Sequence, residues 1–137
     1  MNVFVDTSFF IARTHKRDQW HQRAIQVSTD DMSLYTSSPI INETATLMQA
    51  RGYFSQALVF LGEVRSNNLI EIVYPDAVLQ AVAWERFGRW GAMGANAVDC
   101  LSFALMESLS IREALTFDEH FRMAGYSMLP EEQIYHN

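Results

Sequence analysis

Short apolar runs alternate along this chain with stretches in which apolar residues recur every three or four positions. The short runs predict buried strands, and the longer period predicts amphipathic helices. Strands are predicted at 2–5, 33–36, 69–74, 114–116 and 126–129. Helices are predicted at 7–13, 19–27, 37–52, 54–64, 75–90, 97–111 and 118–124. This alternation favours a three-layer α/β domain with a mainly parallel central sheet.

Two further expectations concern single segments. In the helix predicted at 54–64, the spacing places Leu58, Leu61 and Val64 on the inward side. The glycine-spaced stretch GAMGAN at 91–96 is predicted to be a loop between two helices.

Length and composition narrow the class of protein. A chain of 137 residues suits one core, so a single domain over 1–137 is expected. The net charge of −6 argues against a broad grip on nucleic acid but allows a local basic rim. No apolar run approaches the roughly 20 residues that span a bilayer, so no membrane association is expected. Cys100 is the only cysteine, which excludes an internal disulfide and favours the reducing cytoplasm.

Four acidic residues interrupt apolar segments at related places. Asp6 follows the first predicted strand, and Asp118 follows the strand at 114–116. Glu43 and Asp99 each lie about one turn into an apolar helix. Because parallel strands end at one edge of a sheet, the four carboxylates can converge on one pocket there.

A cluster of this kind favours a divalent cation. Like charges a few ångströms apart repel each other, and hard cations such as Mg²⁺ or Mn²⁺ relieve that repulsion by taking oxygen ligands. The chemistry that suits such a site is metal-assisted cleavage of a phosphodiester. Structural roles remain open for each acid on its own. Asp6, Asp99 and Asp118 could cap helices, and Glu43 could be a solvated helix residue.

Three segments resemble the PIN domain, and in particular the VapC-type toxins of toxin–antitoxin pairs. They are VDTSFFIA, SSPIINETATLM and AVDCLSFALMESLSIREALTFDEHFRMAGYSMLP, and they occur in the family's order over nearly the whole chain. The resemblance implies a PIN-like α/β/α fold and a ribonuclease that a bound antitoxin inhibits. It also implies a homodimer.

Carried over residue by residue, the resemblance implies specific roles. Asp6, Glu43, Asp99 and Asp118 would form an acidic quartet around Mg²⁺ or Mn²⁺. Thr7 or Ser8, together with Thr116, would supply hydroxyl groups that orient the carboxylates. His120 stands where many relatives carry an acidic or similar polar residue, so a fifth acidic ligand is not expected at that position.

RNA would need a partly basic approach to this acidic centre. Candidate contacts are the basic residues Arg13, Lys16, Arg17, Arg86 and Arg89.

Aromatic residues interleave with the last two of these arginines in the segment WERFGRW. Trp84, Phe87 and Trp90 have helical spacing, so packing is the preferred interpretation. A dimer or antitoxin groove and stacking on unpaired bases remain alternatives.

Two phosphotransfer families are excluded by what the chain lacks. Haloacid-dehalogenase-like phosphatases and receiver domains need paired early acids and a late lysine, whereas Lys16 is the only lysine here. The remaining rival is a PIN-like module that binds RNA or protein without catalysis.

Overall fold

A computed structural model describes residues 1–132. Its strands are β1 (Asn2–Val5), β2 (Ser33–Ser37), β3 (Ile70–Val73), β4 (Glu113–Leu115) and β5 (Ser127–Leu129). They form one sheet in the order β3-β2-β1-β4-β5, in which each neighbouring pair is parallel. The expectation of a single domain over 1–137 stays a prediction.

Helices cover both faces of this sheet. They are α1 (Thr7–Thr14), α2 (His21–Ile25), α3 (Ser38–Ala50), α4 (Phe54–Ser66), α5 (Ala77–Trp90), α6 (Ala97–Ser108) and α7 (His120–Met123). Through α1–α4 the chain passes from β1 to β2 and on to β3 at one edge of the sheet. Through α5–α7 it passes in the opposite direction to β4 and β5. Because both sets of crossovers are right-handed, the two groups of helices lie on opposite faces. The predicted three-layer α/β/α fold is therefore confirmed.

The core lies on both sides of β1, which is the central strand. Val3, Phe4 and Val5 are almost completely buried, as expected for a strand that has helices over both of its faces. Residues 99–106 of α6 are all buried, and the core includes Cys100, Phe103 and Met106 of this helix. Within residues 1–132, none of the helices combines the length and apolar character that a bilayer span requires.

Several predicted boundaries differ from the structure. The helix expected at 19–27 is only His21–Ile25, and the helix expected to reach position 111 ends at Ser108. The stretch GAMGAN contains a short 3-10 helix at Gly91–Met93.

The inward placement of Leu58 is wrong. Its side chain is 56% exposed, whereas Ala57, Phe60 and Val64 form the buried stripe of α4. Both sets have helical spacing, so periodicity alone did not distinguish between them.

The strand order changes direction between β1 and β4. After β1 the chain forms β2 on one side of β1 and then β3 at the sheet edge. It then returns and forms β4 on the other side of β1. In open parallel sheets such a switch leaves a crevice beyond the carboxyl ends of the two strands. Asp6 follows β1 directly, and Asp118 lies three residues beyond the end of β4.

Candidate metal centre

A cleft of about 410 Å³ opens at this switch point, and the four predicted carboxylates line it. Asp6 comes from the end of β1, Glu43 from α3, Asp99 from the first turn of α6 and Asp118 from the segment after β4. We call this space the acid cleft. Residues distant in sequence are therefore brought to one place by the parallel arrangement of the strands.

Asp6 is 3% exposed and is held by two hydroxyl groups. Its Oδ2 accepts hydrogen bonds from Ser8 Oγ and Thr116 Oγ1, both at 2.9 Å. It also accepts a longer bond of 3.4 Å from the Ser8 backbone N–H, so Asp6 caps α1 as well. The capping role and the site role are thus compatible.

Ser8 and Thr116 also connect the neighbouring loop to Asp6. Ser8 Oγ accepts the Phe117 N–H at 2.9 Å, and Thr116 Oγ1 accepts the Asp118 N–H at 3.0 Å. The two hydroxyl oxygens are 3.1 Å apart. This network fixes the segment that carries Asp118 relative to Asp6.

Thr7 is oriented differently from Ser8 and Thr116. It lines the acid cleft, but its hydroxyl group donates to Ile40 O at 3.5 Å and accepts from Thr44 Oγ1 at 3.4 Å. The structure therefore shows hydroxyl contacts to Asp6 from Ser8 and Thr116, while Thr7 joins α1 to α3.

Asp99 forms a capping box with Asn96 at the start of α6. Asn96 Oδ1 accepts the Asp99 N–H at 2.8 Å, and Asp99 Oδ2 accepts the Asn96 N–H at 2.9 Å. Asn96 also lines the acid cleft. Sequence reasoning missed this residue, although an asparagine three positions before an acidic residue is a recognisable capping pattern.

Asp118 is paired with His120. The sequence indicated only that His120 replaces an acidic or similar polar residue found in many relatives, and it did not predict this pairing. Asp118 Oδ1 accepts the His120 N–H at 2.9 Å and lies 2.7 Å from His120 Nδ1. Gly94 leaves room for this ring, because a Cβ at that position would lie 2.9 Å from His120 Nε2. Gly94 also has a φ of 102°, a backbone conformation that other residues rarely adopt.

Each of the three aspartates uses one oxygen for these contacts and leaves the other available. Among residues 1–132, no donor bonds to Asp6 Oδ1, Asp99 Oδ1 or Asp118 Oδ2. Capping thus orients each carboxylate and keeps one oxygen for another ligand.

The surroundings of Asp6 and Asp99 in the acid cleft oppose ionisation of their carboxyl groups. Burial raises the pKa of Asp6 to about 6, against the hydrogen bonds from Ser8 and Thr116. Burial likewise raises the pKa of Asp99 to about 7, and the charges of Asp118, Asp6 and Glu43 add to that rise. A cation in the cleft would offset both effects.

The donor atoms fit a hard divalent cation. Ligand atoms of Asp99, Asp118 and His120 lie within 4.8 Å of one another, and carboxylate oxygens are the donors that Mg²⁺ and Mn²⁺ prefer.

A family model described as the PIN domain matches residues 3–125. The chain belongs to the PIN domain family. A curated PIN relative, the 23S rRNA-specific endonuclease VapC20 of Mycobacterium tuberculosis (strain CDC 1551 / Oshkosh), is 32% identical over 126 residues. That match covers 90% of this chain and 95% of the relative. The VapC20 of the strain ATCC 25618 / H37Rv matches to the same extent.

A solved structure shows the same fold. The crystal structure of Mycobacterium tuberculosis VapC20, described as a Sarcin-Ricin loop cleaving toxin, superposes with a TM-score of 0.84 at 30% identity. The superposition covers 90% of this chain and 95% of that one. The PIN fold inferred from the three sequence segments is therefore confirmed.

The candidate RNA contacts fall into separate regions. Arg17 lines a second cleft next to the acid cleft, and Lys16 is exposed on the same loop. Arg13 lines a smaller cavity beside β1. Arg86 forms an ion pair with Glu107 across α5 and α6, and the Arg89 guanidinium lies 4.5 Å from the Trp90 ring. RNA binding by these residues stays a prediction.

The aromatic residues of WERFGRW do not all pack. Trp84 is 67% exposed and Phe87 is 45% exposed, so packing as their common role is wrong. Trp90 is partly buried, with its ring 6.4 Å from Phe103 in an edge-on contact. Trp84 and Phe87 instead contribute to an exposed apolar surface on α5.

Proposed function

We propose that this chain is a ribonuclease that depends on Mg²⁺ or Mn²⁺ and acts as the toxin of a toxin–antitoxin pair. The observation that carries the proposal is the acid cleft, in which Asp6, Glu43, Asp99 and Asp118 meet from four different elements. The similarity to an endonuclease over 90% of the chain supports the same assignment.

The roles of the residues follow from their contacts. A divalent cation bound here would supply positive charge to a phosphate and lower the pKa of an attacking water. Asp6, Asp99 and Asp118 would hold it through the oxygens that their caps leave available, with Glu43 adding charge. Ser8 and Thr116 position Asp6, and Thr7 holds α1 against α3. His120 orients Asp118.

RNA is the substrate that this proposal requires. VapC20 is named for action on 23S rRNA and on the sarcin–ricin loop, so a hairpin of that loop is the first substrate to test. We expect the purified chain, free of any antitoxin, to cleave the hairpin with Mg²⁺ or Mn²⁺ and to be inactive in EDTA. Undiminished cleavage in EDTA would contradict the proposal.

Thr116→Val tests how strongly the hydroxyl network supports catalysis. Valine keeps the shape but removes the donor to Asp6 and the acceptor for the Asp118 N–H. We expect cleavage to fall by about 10- to 100-fold, as is usual when a group that orients a metal ligand is lost. Thr36→Val is the matched control, because Thr36 is equally buried but donates to Val5 O outside the cleft. Equal rates for the two variants would show that Thr116 has no positioning role.

We also propose that two copies associate through α5 and that an antitoxin binds the dimer in the cytoplasm. Trp84 and Phe87 lie about one turn apart on α5 and are 67% and 45% exposed, so they form one apolar surface that suits a partner. An antitoxin encoded beside this chain, and copurifying with it, would support the toxin role.

Trp84→Glu should convert the dimer to a monomer. A charge in the middle of an apolar interface is costly to bury, so we expect the mass in sedimentation experiments to halve. Leu69→Glu is the matched control, since Leu69 is 78% exposed in the loop before β3 and belongs to no exposed apolar helix face. A wild-type chain that is already monomeric would contradict this part of the proposal.

The alternative function is a PIN-like module that binds RNA or protein without catalysis. The complete acid cleft argues against it, because all four carboxylates are present and line one space. Metal-dependent stabilisation without RNA cleavage would favour this alternative.

A further inference from the structure

The acid cleft continues into a second cleft of about 360 Å³. The two share the lining residues Asp18, Gln19 and Arg51. The other residues that line the second cleft are His15, Arg17 and Tyr53. A chain molecule in the acid cleft can therefore extend directly into this neighbouring space, which we call the side cleft.

The charge of the side cleft is opposite to that of the acid cleft. Arg17 and Arg51 are exposed, and neither forms an ion pair with another residue in the part of the chain that the structure describes. Among residues 1–132, Asp18 is the only carboxylate lining the side cleft, and its Oδ1 accepts the Trp20 N–H at 2.9 Å. Two guanidinium groups beside a site for phosphodiester chemistry form a binding place for phosphate.

Two rings line the same space. The His15 and Tyr53 ring centroids are 4.7 Å apart with an angle of 51° between the planes, and both residues are partly exposed. Burial, and then the charge of Arg51, lowers the pKa of His15, which favours its neutral imidazole. Neutral aromatic rings next to cationic groups are the usual surroundings of an unpaired RNA base.

We infer that the side cleft binds the nucleotide next to the cleaved phosphate of an RNA substrate. Arg17 and Arg51 contact its phosphate, and the rings of His15 and Tyr53 contact its base. This inference rests on the proposed function, because it concerns the substrate of the same site. It adds Arg51, Tyr53 and His15, none of which the sequence pattern singled out for RNA.

The charges favour RNA over a protein segment as the occupant. A peptide that neutralised the acid cleft would be basic. Where it extended into the side cleft, its positive charge would be repelled by Arg17 and Arg51. An RNA strand with its scissile phosphate at the cation places its next phosphate among guanidinium groups. The lining of the acid cleft is negative and that of the side cleft is positive. This arrangement suits a polyanion that binds a cation in the first cleft and arginines in the second.

The test compares RNA affinity in the Asp99→Asn background, with excess Mg²⁺ to offset the charge of the acid cleft and with readings taken before the residual cleavage is appreciable. The probe is a fluorescently labelled sarcin–ricin loop hairpin. Adding Arg51→Ala should raise its Kd about tenfold, as expected for a lost charge-assisted contact. It should also reduce the slope of log Kd against log salt by about 0.7. Arg65→Ala is the matched control, because Arg65 is an exposed arginine in the last turn of α4.

Tyr53 provides an independent variant for the stacking contact. Tyr53→Ala should raise the Kd about tenfold, while Tyr53→Phe, which keeps the ring, should retain the affinity of the parent. In the cleavage-competent protein, Arg51→Ala should raise KM with little change in kcat. Thermal melting of each variant shows whether the fold is kept.

The outcomes separate this inference from the proposed function. An unchanged Kd and salt slope for Arg51→Ala, in a protein that cleaves RNA and loses cleavage on Asp99→Asn, would overturn the side cleft alone. The same result together with weaker binding of a copurified antitoxin would assign the side cleft to a protein and would also overturn the inference. A wild-type protein that neither binds nor cleaves the hairpin would overturn both.

Discussion

Asp99→Asn should lower RNA cleavage by about a thousandfold and leave the fold intact. Loss of one ligand would weaken the proposed cation site, and several kcal/mol of transition-state stabilisation would depend on a cation bound there. The asparagine can still accept the Asn96 N–H, so the capping box of α6 is kept. Removing a buried carboxyl whose pKa is raised to about 7 also removes a source of repulsion. The metal-free variant should therefore melt at or above the wild-type temperature.

The matched control for this change is Asp76→Asn. Asp76 caps α5 by accepting the Leu79 N–H at 2.8 Å, and it lies outside the acid cleft. Both variants replace a capping aspartate at a helix start, so a difference between their cleavage rates is due to the acid cleft. Asp99→Asn cleaving RNA within about threefold of wild type, with contaminating nucleases excluded, would remove Asp99 from the proposed centre.

The stability of the metal-free protein should depend on pH. The folded-state pKa values of Asp6 and Asp99, about 6 and about 7, lie above the ordinary value of 3.8. A raised carboxyl pKa means that the folded state holds the proton more tightly than the unfolded chain does. The protonated carboxyls therefore add to the free energy of unfolding at low pH. This contribution is lost as the pH rises through the two folded-state values. Metal-free protein should therefore melt at a lower temperature near pH 8 than near pH 5.

Mn²⁺ should reverse this loss. Free metal at about 100 times its Kd stabilises the folded state by about 2.7 kcal/mol, which raises the melting temperature by about 10 °C for a chain of this size. The rise should be large near pH 8 and small near pH 5, where protons compete for the carboxylates. Thermal melts in EDTA and in Mn²⁺ measure both effects.

Asp99→Asn and Asp76→Asn serve as a pair in this experiment too. Asp99→Asn should have a shallower pH dependence in EDTA and little response to Mn²⁺, while Asp76→Asn should follow the wild type. A wild-type melting temperature that is flat across this pH range and unchanged by Mn²⁺ would show that the acid cleft holds neither strained carboxyls nor a metal.

Much of the fold and of the proposed centre was predictable because it depends on local signals and on strand direction. The run Val3–Val5 marks a strand buried on both faces, and an acidic residue directly after it must lie at the sheet edge. Asp118 follows another parallel strand, so the same reasoning brings it next to Asp6. Glu43 and Asp99 were recognisable as acids one turn into apolar helices, and the resemblance to the PIN domain supplied the role of Thr116.

Other features were beyond the sequence because they depend on how distant segments pack. Which stripe of α4 is buried was ambiguous, since 57/60/64 and 58/61/64 have nearly the same period. Arg51 and Asp18 line the acid cleft only because the loop after α1 and the end of α3 lie side by side. Trp84 has helical spacing like a core residue, yet the face of α5 that carries it is exposed.

The chemistry of the first RNA product is the strongest test of the proposed metal centre. A water activated by a cation held in the acid cleft would add its oxygen to the phosphate as the bond to the leaving ribose oxygen breaks, so the first products should carry an ordinary phosphate monoester. In heavy-oxygen water, mass spectrometry of the earliest time points should show one solvent oxygen in that phosphate, with no product in EDTA. Early products that end in a 2′,3′-cyclic phosphate, formed with or without metal, would contradict the account.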